Sequence, residues 1–326
     1  MKKARIIGTG SYLPEKVLTN FDLEKMVDTT NEWISTRTGI DERRIAAEDE
    51  DTSDLAVKAA QCAMEMAGVS ADDIDLIVVA TITGDFPWPA TACLVQDKIG
   101  AVNAAAWDVS AACSGFVYAL SSAAQYLQCG TAKRALVIGA EVFSRILDWE
   151  DRNTCILFGD GAGAVVLEAQ DGENGILSTH LHSNGSYWEL LHQPGFGSHN
   201  PASISGIEER LPFLRMAGNE VFKTAVRSMY EVAIEALETH QMTSEDVVLL
   251  FPHQANRRIL DAVKKRLKLR DDQMYINVDK CGNTSGASIP IALDEANRKG
   301  LLNEGDVLVF DAFGGGFTWG ACLLRW

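Results

Sequence analysis

The sequence predicts an α/β protein made of two copies of one unit packed against each other. Apolar runs of strand length (Ile74 to Ala80, Ala135 to Glu141, Val247 to Phe251, Asp306 to Asp311) alternate with helical patterns, as in sheets covered on both faces. The order of elements is also repeated.

In the first half, Ser53-Asp54 opens a helix through Leu55, Ala59, Ala63 and Met66 to Gly68, and an acidic turn, Ser70 to Asp73, leads into the first strand. In the second half, a helix from Glu220 through Val226, Met229, Ala233 and Leu237 is followed by the acidic turn Thr243 to Asp246 and its strand. Asp108-Val109 and then Cys113 open a helix that ends near Gly130, before the strand 135–141. Asn277-Val278 and then Asn283 likewise open a helix through Ile289, Ala292 and Ala296 to Gly300, before the strand 306–311. The expected halves are residues 1–172 and 173–326. Cys113 and Asn283 then fall at matching helix starts, with His253 just beyond a matching strand. Residues so distant in sequence converge at the interface between halves, where pockets form.

A chain of 326 residues with 47% hydrophobic content supports a large core. Its seven cysteines (Cys62, Cys93, Cys113, Cys129, Cys155, Cys281 and Cys322) form an odd, scattered set with no CxxC pair. This is the pattern of reduced thiols in a cytoplasmic protein, not of disulfides or a zinc site. The apolar stretch after Lys2, Lys3 and Arg5 is broken by Gly8, Gly10 and Pro14, too short for a signal peptide or a membrane span. A net charge of −16 argues against nucleic acid as partner. The exception is local: Arg257, Arg258, Lys264, Lys265, Arg266, Lys268 and Arg270 face only Asp261. At helical spacing Ile259, Leu260, Val263 and Leu267 take one side and the cations the other, either a solvated face or a dock for an acidic carrier beside His253.

Three other motifs read as structural. Gly159-Asp160-Gly161-Ala162-Gly163 lacks the Lys-Ser/Thr of a phosphate loop, and Gly8-Thr9-Gly10 lacks the third glycine of a dinucleotide fingerprint. His180-Leu181-His182 offers two ligands at strand spacing without a partner, so no metal is expected.

The candidate nucleophile is Cys113. A thiol at the start of a helix meets the positive end of the dipole, which lowers its pKa by about one to a few units when an imidazole is also near. His253, in Pro252-His253-Gln254-Ala255-Asn256, and Asn283, in Gly282-Asn283-Thr284-Ser285, are its candidate helpers. Alone, the cysteine reads as a buried small residue, the histidine as core and the asparagine as a helix cap. The combination points to chemistry.

These residues resemble β-ketoacyl-acyl carrier protein synthase III, the initiating condensing enzymes of dissociated fatty acid synthesis, over essentially the whole chain. The markers are Ala112-Cys113-Ser114-Gly115, Pro252 to Asn256, Gly282 to Ser285, Phe313-Gly314-Gly315-Gly316-Phe317-Thr318-Trp319-Gly320, Trp33 with Thr36 to Ile40, and Phe158 to Gly163. The resemblance implies a thiolase-like fold, layered α-β-α-β-α, and decarboxylating Claisen condensation of an acyl-CoA with malonyl-acyl carrier protein through acyl-Cys113. It implies no cofactor beyond the coenzyme A thioester substrate, and a homodimer.

By the same resemblance the backbone N–H groups of Cys113 and Gly315 form the oxyanion hole, and Phe313 lies against the site. Trp33 and Arg152 sandwich the adenine of coenzyme A, Arg37 meets its phosphates, and Asn219 and Asn256 bind the pantetheine amides. Lys223, Arg258, Lys265 and Arg266 form the landing patch for the carrier protein. Trp88 stands where phenylalanine is frequent and reaches the partner's acyl pocket, which favours acetyl-CoA as primer. The stretch Gln193 to Leu214 is longer than usual and reads as an extended surface loop. Competing readings are a related condensing enzyme with another acceptor, a cysteine hydrolase, and a non-catalytic carrier-binding subunit.

Overall fold

The computed structural model describes residues 2–326. Its first sheet runs, edge to edge, Ala105–Val109, Leu76–Ala80, Arg134–Glu141, Gly161–Gln170, Lys3–Tyr12. The second runs Leu249–Pro252, Val307–Gly314, Thr318–Arg325, Gly175–Ser183. In each sheet a parallel pair is followed by two antiparallel pairings in the same order. The repeat read from the sequence is therefore a repeat of topology. The extra strand of the first sheet, Ala105–Val109, has its counterpart reduced to one bridge between Leu250 and Met274.

Helices Gly115–Gln128 and Ser288–Arg298 lie between the two sheets, and most of their residues are buried because sheet covers them on both sides. Phe116, Leu120, Ile289 and Leu293 meet Phe251 and Phe310 in this middle layer. Helices Thr52–Ala67 and Thr91–Ile99 cover the outer face of the first sheet, and Gly218–Thr239 and Arg257–Leu267 that of the second. The result is the expected five-layer α-β-α-β-α stack.

Local chemistry shifts some boundaries. The first outer helix is capped at Asp51, ahead of Ser53, with the Asp51 N–H donating to Asp54 Oδ2 at 2.9 Å. The second middle helix starts at Ser288 and not at Asn283. The long stretch 193–214 is not all loop: it holds a short helix, Ile204–Glu208, and Arg210 pairs with Asp148 and Glu150. A two-residue ladder, Leu191–His192 against Arg215–Met216, closes its neck. No helix among the described residues is long and apolar enough to cross a membrane.

Phe310 is fully buried, with ring centroids of Phe251 and Phe116 at 5.8 and 6.4 Å. Phe310→Ala removes the centre of the middle layer and is expected to cost about 3–5 kcal/mol in urea denaturation; a loss below about 1 kcal/mol would contradict this packing.

Candidate active site

Cys113 is the middle residue of a single 3-10 turn, Ala112–Ser114, that carries the chain from the strand Ala105–Val109 into the middle helix. Ala112 bends the backbone into the left-handed region, φ 46°. The second half repeats the device: the turn Ser285–Ala287 enters its middle helix with Ser285 at φ 49°. By this match the counterpart of Cys113 is Gly286, which corrects the expected pairing of Cys113 with Asn283. Asn283 lies before the turn, in extended backbone bridged to Phe158: its N–H donates to Leu157 O (2.8 Å) and its carbonyl accepts from Gly159 N–H (3.0 Å). These bonds hold it to a segment of the first half. Its Oδ1 accepts from Ser285 N–H at 2.8 Å, so the amide has one fixed orientation and its NH2 remains as donor.

His253 follows directly on Leu249–Pro252, anchored by its N–H to Asp311 O (2.7 Å). Two glycines let these pieces close on one another. A Cβ at Gly314 would lie 2.6 Å from Cys113 N, and one at Gly139 would lie 2.2 Å from Gly286 O. Any side chain at Gly314 would push the Cys113 turn, and any at Gly139 the Gly286 turn, off the strand on which it packs. A cavity of about 420 Å³ results, lined by Cys113, His253, Asn283 and Phe313, with Trp33 and Arg37 also on its wall. A second cavity of about 170 Å³ opens beside Cys113, lined by Gly315 and mainly by apolar side chains, including Ile82, Phe143, Phe158 and Leu214.

The electrostatics depart from expectation. Burial pushes the Cys113 thiol up to about 12, with the nearby Ser285 hydroxyl opposing and the Glu141 carboxylate adding to the rise. A helix terminus contributes about 1 kcal/mol and at most about 2, well under two pKa units; desolvation exceeds it. Nor does the imidazole help as a cation. His253 is also buried, and desolvation pulls it down to about 3, so the ring is neutral at physiological pH. Its Nδ1 lies 2.8 Å from Ser288 Oγ. That oxygen also accepts from Gln254 N–H (3.3 Å); in the tautomer in which the Ser288 hydroxyl donates to Nδ1, the ring proton sits on Nε2.

Glu141, at the end of the strand Arg134–Glu141, and Ser285 were not anticipated. Glu141 is fully buried and accepts from the Thr81, Thr83 and Ser285 hydroxyls and from the Ile82 and Thr83 N–H groups. Only the placing of an acid at the end of an apolar strand could have signalled it.

Of the remaining candidates, Asn219, Asn256 and Arg258 line the larger cavity. Asn256 also caps the helix Arg257–Leu267 through Ile259 N–H (3.1 Å). Both Arg37 and Arg152 stack on Trp33, at 4.5 and 5.1 Å from the ring centroid. The expected sandwich is thus closed: a ring between Trp33 and Arg152 needs about 7 Å, two contact distances of roughly 3.5 Å, so Arg152 must swing out. Ile259, Leu260, Val263 and Leu267 are buried as expected, while Lys265 and Arg266 stay exposed. Lys223 pairs with Glu220. Trp88 is 83% exposed and lines neither of these cavities. His180 and His182 do have a partner, Glu235, at 3.0 and 2.6 Å; among the described residues no group of three such ligands could hold a metal.

The fold and this arrangement define a thiolase-fold protein. Residues 107–185 match the family profile described as 3-oxoacyl-[acyl-carrier-protein] synthase III, and residues 237–326 match that of its C-terminal part. The chain is 54% identical to a β-ketoacyl-[acyl-carrier-protein] synthase III of Caldanaerobacter subterraneus subsp. tengcongensis over 323 residues, 99% of this chain and 98% of the relative. It is 55% identical to that of Xylella fastidiosa over 328 residues, again 99% and 98% of the two chains. The crystal structure of 3-oxoacyl-[acyl-carrier-protein] synthase III from Aquifex aeolicus VF5 superposes with a TM-score of 0.92 at 50% identity, covering 99% of this chain and all of the other. The chain belongs to the β-ketoacyl-acyl carrier protein synthase III family, condensing acyltransferases of fatty acid biosynthesis.

The neutral, buried imidazole has a thermodynamic consequence. With a folded pKa near 3 against 6.5, the unfolded chain binds the additional proton, so this group's contribution to stability is intact above pH 6.5 and lost as pH falls toward 3. Between pH 7 and pH 5 the wild type is expected to lose about 2 kcal/mol more than His253→Gln. Urea denaturation at both pH values measures the difference, and equal losses would mean that the imidazole is not held neutral.

Proposed function

We infer that this chain condenses an acyl-CoA primer with malonyl-acyl carrier protein, with loss of carbon dioxide, to give a 3-oxoacyl-acyl carrier protein and so start fatty acid synthesis. The observation that carries the residue roles is the single cavity on which Cys113, His253 and Asn283 converge from different elements. Cys113 attacks the primer thioester and becomes the acyl-enzyme. The N–H groups of Cys113 and Gly315 hold the oxyanion of that step; both residues line the smaller cavity.

The second half-reaction needs no strong base. Loss of carbon dioxide from malonyl leaves an enolate, which is stabilised by donors aimed at the thioester oxygen. Neutral His253, protonated at Nε2 while Ser288 donates to Nδ1, and the Asn283 NH2 supply them. A buried imidazolium would be costly here, and the neutral ring fits a donor better than a base.

Coenzyme A enters past Trp33 and Arg37, with Arg152 released from its stack to admit the adenine and Asn219 and Asn256 on the pantetheine. The acyl group occupies the 170 Å³ cavity. An apolar space of about 150 Å³ accommodates a benzene ring, so this one holds more than an acetyl group; acetyl preference requires Trp88 of a second copy to shorten it in a homodimer. The two halves, 1–172 and 173–326, contribute the nucleophile and the two donors respectively. We place the enzyme in the cytoplasm, consistent with its free cysteines. The acidic carrier protein lands on Arg258, Lys265, Arg266 and Lys223.

Incubation with a panel of acyl-CoAs, followed by malonyl-acyl carrier protein and intact-mass measurement, tests nucleophile, primer and condensation together. A Cys113→Ala chain that still acquired the acyl mass would sink the assignment. In Asn283→Ala, acylation should persist while malonyl decarboxylation falls at least about a hundredfold, the loss of one oxyanion donor; condensation at the wild-type rate would remove Asn283 from this role. Lys265→Glu should raise the KM for malonyl-acyl carrier protein several-fold at low salt and leave Cys113 acylation unchanged.

A further inference from the structure

Arg43, on the short strand Glu42–Ile45, is a fully buried cation that lines neither of the cavities at Cys113. Its three acceptors are neutral oxygens. Nη1 donates to Leu18 O at 3.2 Å and to Asn20 Oδ1 at 2.9 Å, and Nη2 donates to Ile156 O at 2.7 Å. Burial pulls the guanidinium down to about 10, so it stays charged at physiological pH. Holding an ion among dipoles alone is less favourable than filling the same space with an apolar chain. What a guanidinium offers in return is a planar fork with donors in fixed directions, which sets the spacing of the segments it bridges.

One of those segments carries part of the site. Ile156, Leu157 and Phe158 all line the larger cavity. Both backbone bonds of Asn283 go to this segment, its N–H donating to Leu157 O and its carbonyl accepting from Gly159 N–H. On either side of that bridge a glycine rests on Arg43: a Cβ at Gly159 would lie 2.9 Å from Arg43 Cβ, and one at Gly282 would lie 3.0 Å from it. The neighbours of Arg43 hold the same two stretches of chain, with Arg44 O accepting from Asp160 N–H and Asp41 N–H donating to Asp279 O, each at 2.9 Å. On the other side of the fork, Asn20 donates to Asn31 Oδ1 at 3.1 Å and to Ile40 O at 2.7 Å, at the two ends of the helix Asn31–Thr38 that carries Trp33 and Arg37.

We propose that Arg43 is a positioning residue for decarboxylation: its guanidinium fixes segment 156–159 against residues 18–20, and with it the depth at which the Asn283 carboxamide enters the cavity. The inference rests on Asn283 being a donor to the malonyl thioester. Arg43 touches neither substrate nor reacting atoms and acts only through this segment. Without the fork, the Cβ contacts with Gly159 and Gly282 remain, but Ile156 O loses its donor and the bridge to Asn283 is free to shift. A small displacement is enough to weaken a contact to a developing oxyanion. Cys113 sits on a different turn, Ala112–Ser114, packed on Gly314, and none of the three acceptors of Arg43 belongs to it. Acylation is therefore spared while decarboxylation is lost.

The test compares wild type, Arg43→Met, Asn283→Ala and the double variant, with folding checked by circular dichroism. Methionine keeps the Cβ and an unbranched stem and removes the fork. Acetylation of Cys113 by acetyl-CoA is read by quenched intact mass. Carbon dioxide release by the acetylated enzyme is read from malonyl-acyl carrier protein labelled in the departing carboxylate. Arg43→Met should acetylate within about threefold of wild type and release carbon dioxide at least about tenfold more slowly at saturating malonyl-acyl carrier protein, a fall in kcat with KM unchanged. In the Asn283→Ala background the same change should slow release by less than about threefold, because the side chain it positions is gone. A merely structural role predicts parallel loss of both half-reactions and an undiminished loss in the double variant. Either result overturns the proposal, as does a loss below tenfold in Arg43→Met. Should Arg43→Met fail to fold, Arg43→Lys, which keeps the charge without the fork, decides. A loss of threefold or more in carbon dioxide release that disappears beside Asn283→Ala supports the proposal; no loss, or one that persists there, overturns it. If Asn283→Ala alone releases carbon dioxide at the wild-type rate, the role of Asn283 fails first and this inference with it.

Discussion

The site depends on two left-handed turns meeting face to face. Ala112 and Ser285 each carry a side chain at φ 46° and 49°, a conformation costing of order 1 kcal/mol or more for such residues. One turn follows a strand and the other a single bridge at Asn283; each redirects the chain into a helix held between the sheets and is pinned there by that helix's burial. Stability from the middle layer thus offsets local strain at the place where geometry matters most. Gly314 lets the Cys113 turn, and Gly139 the Gly286 turn, settle closely onto a strand.

Burial of that meeting point then decides the chemistry. Every titratable group there is displaced toward its neutral form: thiol up, imidazole down, carboxyls up. An exposed helix terminus would have given a ready thiolate; this one is inside. What the site offers a reacting thioester is donors fixed among buried groups, which need not reorganise as charge develops.

Much of this was legible beforehand because duplication writes the same hydrophobic order twice, and apolar runs such as 135–141 and 306–311 fit strands covered on both faces. The trio was legible because cysteine, histidine and asparagine stood in motifs, not alone. Other features depended on tertiary context. Asn283 looked like a helix start because Gly282-Asn283-Thr284 resembles a cap, whereas its actual hold is a bridge to Phe158 across the chain halves. The Cys113 pKa was misjudged in sign because periodicity reports a helix terminus but not the sheet that covers it. Glu141 looked like the end of a strand, and Glu235, which answers His180 and His182, is 53 residues from the nearer of them.

Both cavities are lined by Cys113, the larger with polar groups as well, the smaller by mainly apolar side chains. On the proposed roles, an acyl chain on Cys113 that turns into the smaller space leaves the larger one free for the next thioester. The shape thus suits sequential loading, with a single chamber serving two visitors in turn.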